Sequence, residues 1–312
     1  MISSEFIKQQ ALKVGFDICG IARAGSMPQM LDRLNLWLSK GYHADMEYMA
    51  QHVEMRCNPG LLVENARSVI CVAVGYKPDR TMNGPIKIAQ YAYQQDYHET
   101  IKAKLFALIA AIKEEYPDFE AKPCVDTVPI SDKLWAAQAG LGWIGRNTLL
   151  VTPSMGSYVN LGELVTAEEC DSYDHPIENR CGECQKCIVA CPNQALLVGE
   201  TLENGQRIPL LNACRCNAYN TIENRSENLT ESLNLQGYAF GCDCCQRVCP
   251  YNQQSSPKIM MTDSELQQLE RLPNADASTF RKIVKHRALN RIKYGQWVRN
   301  IDKIKKTLSE DQ

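Results

Sequence analysis

Residues 181–196 read CGECQKCIVACPNQAL, four cysteines at spacings of two, two and three, with proline after the last one. In a run of this kind, three thiolates hold one iron–sulfur cluster and the fourth reaches across to a second cluster. A zinc site more often offers two separated CxxC pairs. The run therefore predicts a module built around two 4Fe-4S clusters rather than a zinc site.

A second, incomplete run, CDCCQRVCPYN, lies at residues 242–252. When it is aligned on Cys249 and Pro250 with the runs of bacterial two-cluster ferredoxins, Ala239 stands where the first cysteine belongs. By the crossing rule, Cys249 completes the cluster held by the first run. The predicted ligands of that first cluster are Cys181, Cys184, Cys187 and Cys249.

The second cluster needs a ligand from elsewhere in the chain. The spacing assigns it three cysteines, Cys191, Cys242 and Cys245. The segment LNACRCNAYN (211–220) offers either Cys214 or Cys216 as the fourth, and Cys244 breaks the spacing and is expected to be a bystander thiol. Interleaved clusters form a path for single electrons, so the rest of the chain is expected to hold the group that those electrons reduce.

The composition is typical of a globular protein in a reducing compartment. Ten of the 15 cysteines lie within residues 181–249, and such crowding indicates metal ligation rather than disulfides. The net charge of −2 gives no overall attraction to nucleic acid or to a membrane. No apolar stretch approaches the roughly 18 residues that a membrane span needs, and the first residues show no export leader. We expect a cytoplasmic protein without a membrane partner.

The chain is expected to fold in three parts. Residues 1–170 mix two amphipathic helices, SEFIKQQALKVG and YHETIKAKLFALIAAIKEEY, with two buried strands, DICGIARA and SVICVAVGY, which predicts an α/β domain. Residues 171–255 form the ferredoxin-like part, and residues 256–312 form a helical tail that becomes basic after Phe280. The predicted fold class is therefore mixed, α+β or α/β.

The segment GLGWIG, inside residues 122–166, matches the dinucleotide fingerprint only formally, because a helix rather than a strand precedes it. Its glycines are expected to make a tight turn or to admit a large flat ligand. With YMAQHVEMRCNP (48–59), YAYQQDYH (91–98), CRCNAYNTIE (214–223) and both cysteine runs, this segment resembles the epoxyqueuosine reductases. The resemblance covers nearly the whole chain.

The resemblance implies reduction of an epoxide on the modified wobble base of tRNA to a cyclopentene, which yields queuosine. It implies cobalamin in the first domain, with the lower base detached, and Cys216 as the missing cluster ligand. It also implies Asp126 as the proton donor, which is chemically sensible if burial raises the pKa of that carboxyl. The residues alone favour a plainer role for Asp126 as the cap of a helix or turn.

The same resemblance implies six contacts to cobalamin: Arg56, Tyr97, Asp126, Trp143, Gly145 and Asn147. Two of these, Tyr97 and Trp143, are also compatible with a place in the core, and Arg56 with a surface ion pair. His98 is expected to be structural or adjacent to the substrate rather than a metal ligand. Gln94 and Gln95 stand where the family often has Gly-Arg.

Residues 281–306 contain ten Lys or Arg and one Asp. Arginines alternate there with aromatic residues, as contacts to RNA phosphates and bases require: Arg287, Arg291, Arg299, Tyr294 and Trp297. A solvated amphipathic helix with its apolar side packed inward gives the same pattern, and both can hold at once. The expected partners are tRNA and an electron donor such as a flavodoxin or ferredoxin, and the chain is expected to be a monomer. Some members of the resembled family carry a helical-repeat domain after this segment; without it, a smaller tRNA-binding surface is expected.

Three other functions share parts of this pattern. A reductive dehalogenase-like enzyme also uses cobalamin and two clusters, but usually carries a twin-arginine leader. A ferredoxin-type electron carrier would need no cobalamin, and a nitroreductase-like enzyme would bind a flavin. The absorbance of the bound cofactor distinguishes these functions.

Overall fold

The computed structural model describes residues 1–202 and 204–310. Its strands are β1 (Ile18–Arg23), β2 (Ser68–Gly75), β3 (Lys87–Ile88), β4 (Lys122–Cys124), β5 (Trp143–Ile144), β6 (Leu150–Val151), β7 (Val159–Thr166), β8 (Leu196–Thr201), β9 (Arg207–Leu211) and β10 (Tyr238–Phe240). Its α-helices are α1 (Ser4–Lys13), α2 (Pro28–Ser39), α3 (Val53–Cys57), α4 (Tyr97–Lys113), α5 (Asp132–Gln138), α6 (Lys186–Val189), α7 (Asn217–Ile222), α8 (Cys244–Arg247), α9 (Pro250–Gln254), α10 (Asp263–Glu270), α11 (Ala277–Val284) and α12 (Tyr294–Glu310). Short 3₁₀ helices lie at Glu47–Met49, Pro59–Leu61, Gln90–Ala92, Ala213–Arg215, Leu272–Asn274 and Ala288–Arg291.

The first part of the chain is built on a four-stranded sheet in the order β1–β2–β7–β4, and every pair in it is antiparallel. The predicted helix and strands at α1, α4, β1 and β2 are confirmed. Helices α1 and α4 cover one face of the sheet and α5 covers the other, so β2 is buried on both sides, as its continuous apolar sequence requires. The predicted mixed class is confirmed, and its form is α+β.

The predicted helix before GLGWIG is α5, and the glycines lie in and around the hairpin of β5 and β6. Gly140 has φ +73°, and a Cβ on Gly142 would collide with the carbonyl of Val151. These glycines therefore serve a turn and a close approach between strands. This arrangement contains no strand–glycine loop–helix unit of the dinucleotide-binding kind.

Buried polar groups fasten the cysteine-rich part to the end of the central sheet. Asn252 lies in α9, directly after the second cysteine run, and its Oδ1 accepts a hydrogen bond from the N–H of Ser157 at 2.6 Å. Its Nδ2 donates to Ser157 Oγ at 2.9 Å. Gln246 in α8 accepts from Tyr76 and from Ser157 at 3.2 and 3.0 Å. Because all four side chains are buried, these bonds fix the register of the cysteine run against the sheet.

The tail shares a core with the two earlier parts of the chain. Phe280, Trp297 and Ile301 pack with Ile88 of β3 and Phe240 of β10, and β3 pairs with β10 in parallel. The apolar side of the tail packs inward, as the interpretation of this segment as an amphipathic helix expects. Trp297 is only 1% exposed, so it is not free to stack on a base.

The tail's predicted arginines are also engaged within the protein. Arg287 donates to the carbonyl of Tyr93, Arg291 forms two hydrogen bonds with the Glu223 carboxylate, and Arg299 donates to backbone carbonyls of residues 220–226.

Among the described residues, no helix combines the length and apolar character that crossing a bilayer requires.

Candidate functional site

A cavity of about 690 Å³ opens between helices and loops of the first part of the chain, the cysteine-rich part and the tail. Its wall combines side chains from α2, from the loop before α5, from the start of α4 and from Arg291 of the tail. Its volume falls within the range of small-molecule and cofactor sites, which is roughly 300–1,000 Å³. The three parts of the chain therefore build one site together.

Aromatic side chains form one side of this cavity. The ring centroid of Tyr91 lies 6.1 Å from that of Tyr97 and 5.9 Å from that of Phe240, and all three residues line the cavity. Ile222 adds an aliphatic surface beside them. A wall of this kind suits a large flat ligand, because it excludes water from one face of the ligand.

His98 lies between two carboxylates at the wall of the cavity. Its Nδ1 is 2.7 Å from Asp96 Oδ1, and its Nε2 is 3.0 Å from Asp126 Oδ2. Both ring nitrogens therefore have an acceptor, which the doubly protonated imidazolium alone can satisfy fully. Asp96 also caps helix α4 by accepting from the N–H of His98 at 3.0 Å, so the helix start fixes the position of the ring.

The charges of this triad support one another. Burial lowers the pKa of His98, but the hydrogen bonds to Asp126 and Asp96 outweigh burial, and the net pKa is raised. The hydrogen bond from His98 lowers the pKa of Asp126, and burial opposes this only in part. Burial does raise the pKa of Asp126, as the resemblance requires, but the hydrogen bond from His98 outweighs burial and the net pKa is lowered. Both shifts therefore favour the charged forms of the two groups, with the proton on His98.

The backbone at Asp126 is in the left-handed region, with φ 48°, which is uncommon for a residue with a Cβ. Its N–H donates to Oδ1 of Asp132, the first residue of α5, at 3.4 Å. The plainer interpretation of Asp126 as a helix cap is not what the structure shows, since its side chain bonds to His98 and Ser131 precedes α5.

The structure brings three of the six predicted cobalamin contacts to the cavity: Arg56, Tyr97 and Asp126. Arg56 donates to the carbonyls of Tyr48 and Gln51 at 2.8 and 3.4 Å, so it supports the loop at residues 48–51 rather than forming a surface ion pair.

The other three predicted contacts, Trp143, Gly145 and Asn147, do not line the cavity; their neighbours Ile144 and Thr148 do. Trp143 is 3% exposed and packs edge-on against Tyr251, beside the second cysteine run. Asn147 accepts from the N–H of Leu149 within the hairpin turn. These three positions shape the hairpin, and the cavity meets the residues between them.

The cysteines of the first predicted cluster lie close to one another. Burial and, to a smaller extent, the neighbouring thiols of Cys181, Cys249 and Cys184 together raise the pKa of the Cys187 thiol to about 11. Cys249 in turn has Cys181 and Cys184 as neighbours, although they are more than 60 positions away in the chain. The fold therefore brings Cys249 beside the first run, as the predicted crossing requires.

The cysteines of the second predicted cluster form a group next to the first. Cys216 is half-buried and has Cys191 as a neighbour, and Cys245 lies near both of them and near Cys187. Cys214 is exposed, and its N–H donates to Asn212. Cys244 pairs with Cys242. No three metal-binding side chains in the described ranges converge on one point as ligands of a single ion do. The two loose groups of thiols nevertheless provide the donor chemistry of two 4Fe-4S clusters.

Several residues of the site were missed or undervalued in the sequence. Lys133 and Tyr48 line the cavity, and Lys133 Nζ donates to the carbonyl of Thr148 at 3.2 Å. The spacing Asp96–Tyr97–His98 at a helix start was a usable signal, because an N-cap aspartate two residues before a histidine can bond to its ring. Nothing local indicates that Lys133 faces a cavity.

Two family models match the chain. The model described as "Epoxyqueuosine reductase QueG, DUF1730" matches residues 56–127, and "4Fe-4S double cluster binding domain" matches residues 180–252. The epoxyqueuosine reductase of Cellulophaga algicola is 37% identical over 309 residues, covering 97% of this chain and 98% of that protein. The double-cluster match shows that residues 180–252 form a module for two 4Fe-4S clusters.

Solved structures agree with the sequence matches. The epoxyqueuosine reductase of Streptococcus thermophilus superposes with a TM-score of 0.82 at 26% identity, over 97% of this chain and 80% of that one. An epoxyqueuosine reductase with an epoxyqueuosine-modified tRNA-Tyr stem loop superposes with a TM-score of 0.77 at 28% identity, over 96% and 80% of the two chains. With these matches along nearly its entire length, the chain belongs to the epoxyqueuosine reductase family of oxidoreductases.

Proposed function

We propose that this chain reduces epoxyqueuosine in tRNA to queuosine, with cobalamin in the cavity of about 690 Å³ and with electrons delivered through the two 4Fe-4S clusters. The observation that carries the proposal is the position of the His98–Asp126 pair. This proton-carrying pair lies in the wall of a cofactor-sized cavity that the double-cluster module helps to form. A pure electron carrier has no use for such a pair.

The cavity fits cobalamin in shape and in chemistry. The aromatic wall of Tyr91, Tyr97 and Phe240 would lie against the corrin, and Arg56 and Lys133 would face its polar side groups. Lys133 also lies near Cys216, so the cavity is adjacent to the second cysteine group. When bound and reduced, cobalamin would supply the electrons for opening the epoxide.

The residues of the chain would manage the proton. Removal of the epoxide oxygen as water takes up two electrons and two protons, so charge develops on that oxygen as its bonds to carbon break. Asp126 would face the oxygen and pass on the proton that His98 holds at Nε2, 3.0 Å from Asp126 Oδ2. Asp96, bound to Nδ1, would stabilise the imidazolium until that transfer and favour its renewal afterwards.

The tRNA would be held mainly through its phosphates, by exposed cations near the mouth of the cavity. The N–H of Asp96 donates to the carbonyl of His286 at 2.8 Å, which places the turn after α11 beside the catalytic triad. Arg281, Lys282 and Lys285 are exposed on this helix and turn. Their positive charge attracts a phosphate backbone without any need for stacking by Trp297. A tRNA substrate places the reaction in the cytoplasm.

An electron donor such as a flavodoxin or ferredoxin would dock at the first cysteine group. Cys181 lines a surface recess together with Arg146 and Arg207. Val189, between Cys187 and Cys191 in sequence, is 83% exposed. An acidic rim around an apolar contact is the complement of this surface.

The test is anaerobic reconstitution of the full chain with iron, sulfide and cobalamin, followed by reduction and incubation with tRNA that contains epoxyqueuosine. Mass analysis of the nucleosides should show queuosine. Asp126→Asn should lower turnover by about 10²–10⁴-fold, the usual contribution of a positioned acid or base, while the cluster and cobalamin spectra stay unchanged. Asp118→Asn, at an exposed position of the same domain, is the matched control. Full turnover by Asp126→Asn, or a reconstituted protein that does not bind cobalamin, would contradict the proposal.

A further inference from the structure

Glu163 is a charged residue in the middle of the central sheet. It lies on β7 and pairs in register with Cys71 of β2 on one side and Cys124 of β4 on the other. Its exposed fraction is 0%, and neither carboxylate oxygen receives a hydrogen bond from any donor in the described residues. An ionised carboxylate without a partner is very costly at such a position.

Another carboxyl group faces Glu163 from the helix above. Asp132, the first residue of α5, lies within hydrogen-bonding reach of Glu163. The remaining titratable groups around Glu163 are Asp126, Cys71 and Cys124, so none of the neighbours named among the described residues is a cation. Lys133 lies near Asp132, but its Nζ donates to the carbonyl of Thr148. Two ionised carboxylates cannot stay in contact in such surroundings, whereas one shared proton turns the contact into a hydrogen bond. Burial, and then Asp132, raise the pKa of Glu163 well above its ordinary value, in agreement with this geometry.

Asp132 links this buried pair to the active site. Its Oδ1 accepts the N–H of Asp126, the residue with φ 48°. A left-handed conformation at a residue with a side chain persists only where its surroundings hold it. The Asp132 carboxyl is therefore placed to support this strained position. It can do so only if its own orientation is fixed, and Glu163 is the group that contacts it on the side of the sheet.

We propose that Glu163 and Asp132 share one proton, and that this shared proton fixes the Asp132 carboxyl that holds the Asp126 loop in place. Glu163 is then a positioning residue that acts on Asp126 through Asp132. The inference rests on the proposed function for its catalytic consequence, but the shared proton and the held loop are properties of the protein without substrate.

Infrared spectroscopy of the full chain tests the shared proton. At pH 7 the wild type should show a carboxylic acid C=O band that Glu163→Gln removes and that Glu114→Gln, at an exposed position on the same domain, leaves in place. Exchange of the amides of residues 125–131 tests the held loop. Glu163→Gln keeps a donor toward Asp132 and should leave exchange unchanged, whereas Glu163→Leu removes the donor and should speed exchange about tenfold, the effect of losing one typical hydrogen bond.

Activity and pH add a further readout. Glu163→Leu should lower kcat about tenfold, and Glu163→Gln should restore most of it. At high pH the pair in the wild type loses its proton, so exchange in residues 125–131 should accelerate in the wild type more than in Glu163→Gln, which cannot ionise. If Glu163→Leu does not fold, this comparison still decides the question. The inference is overturned if the infrared spectrum lacks the band, or if amide exchange in residues 125–131 is the same in the wild type and in both Glu163 variants. Either result overturns it even if epoxyqueuosine is reduced. Failure to reduce epoxyqueuosine leaves both results standing.

Discussion

His98 determines how Asp126 can act as an acid. A lone carboxyl needs a raised pKa to hold a proton at neutral pH, but the structure lowers the pKa of Asp126 through the bond from His98. The pair still carries one transferable proton, because the pKa of His98 is raised. In the proposed reaction the donor would therefore be a His–Asp unit, with Asp96 as its third member.

This unit predicts a pH dependence. The imidazolium of His98 is fully formed below the ordinary histidine pKa of about 6.5 and is lost as pH rises through the raised value. Turnover should therefore be level in the acidic range and fall on the alkaline side. His98→Gln should lower kcat by about 10- to 100-fold and abolish that alkaline limb.

The matched control is His175→Gln, an exposed histidine of the same chain. It should reproduce the pH profile of the wild type. An alkaline limb that persists in His98→Gln would assign the titration to another group.

The sequence identified some of these residues and not others, for physical reasons. Asp126 was identified through its motif, and the role of His98 was undervalued, because the partner of its Nε2 lies 28 positions away. Glu163 carried a visible signal, a single acid in the apolar strand VNLGELVT, but the sequence does not show which residue faces it. That partner, Asp132, depends on how α5 crosses the sheet.

Helix α12 is an element whose role differs from the one its charge indicates. Asn300 is fully buried, and its Nδ2 donates to the carbonyl of Thr221 at 2.9 Å and to that of Ala239 at 2.8 Å. Thr221 belongs to α7, which follows Cys216, and Ala239 belongs to β10, which precedes Cys242. The helix therefore braces the two segments that carry Cys216 and Cys242, two of the predicted ligands of the second cluster.

Asn300→Leu should leave two buried carbonyls without a donor. We expect a loss of about 1–3 kcal/mol in the free energy of unfolding for each carbonyl left unsatisfied, measured by denaturant titration of the reconstituted protein. The second cluster should become labile, so that its absorbance is lost faster than in the wild type. Asp302→Ala, on the exposed side of the same helix, should change neither quantity. Equal stability of the two variants would mean that α12 does not brace the cluster module.

Single helices and strands could be predicted from the sequence, because their patterns depend on residues that are close together in the chain. The periodicities of α1, α4, β1 and β2 predicted these elements correctly. Pairings between distant segments were not readable, since nothing near Lys87–Ile88 indicates that this two-residue strand pairs with Tyr238–Phe240. The antiparallel order of the central sheet was likewise not evident, because both kinds of sheet contain buried apolar strands.

At the scale of the whole molecule, the predicted crossing of the cysteine runs would tie distant segments together. Cys249→Ser should remove the cluster of the first run, although Cys249 belongs to the second run. We expect the iron content to fall by about half and electron delivery to the cavity to stop, because a cluster with three thiolates is held poorly. Iron analysis and electron paramagnetic resonance of the anaerobic protein measure both effects.

Cys214→Ser is the matched control for a cysteine near the clusters. It should keep the full iron content, because Cys214 is exposed and Cys216 lies beside Cys191. Loss of iron from Cys214→Ser would reverse the assignment of the fourth ligand of the second cluster.

The wall of the large cavity includes Met30 near one end of the chain and Arg291 near the other. A ribosome releases a chain from its amino end, so the wall stays open until the segment around Arg291 has emerged and folded back. Before that moment the pocket has no complete shape with which to select a ligand. Insertion of the proposed cofactor would therefore be a post-translational step, and a nascent chain stalled before residue 291 should not retain one.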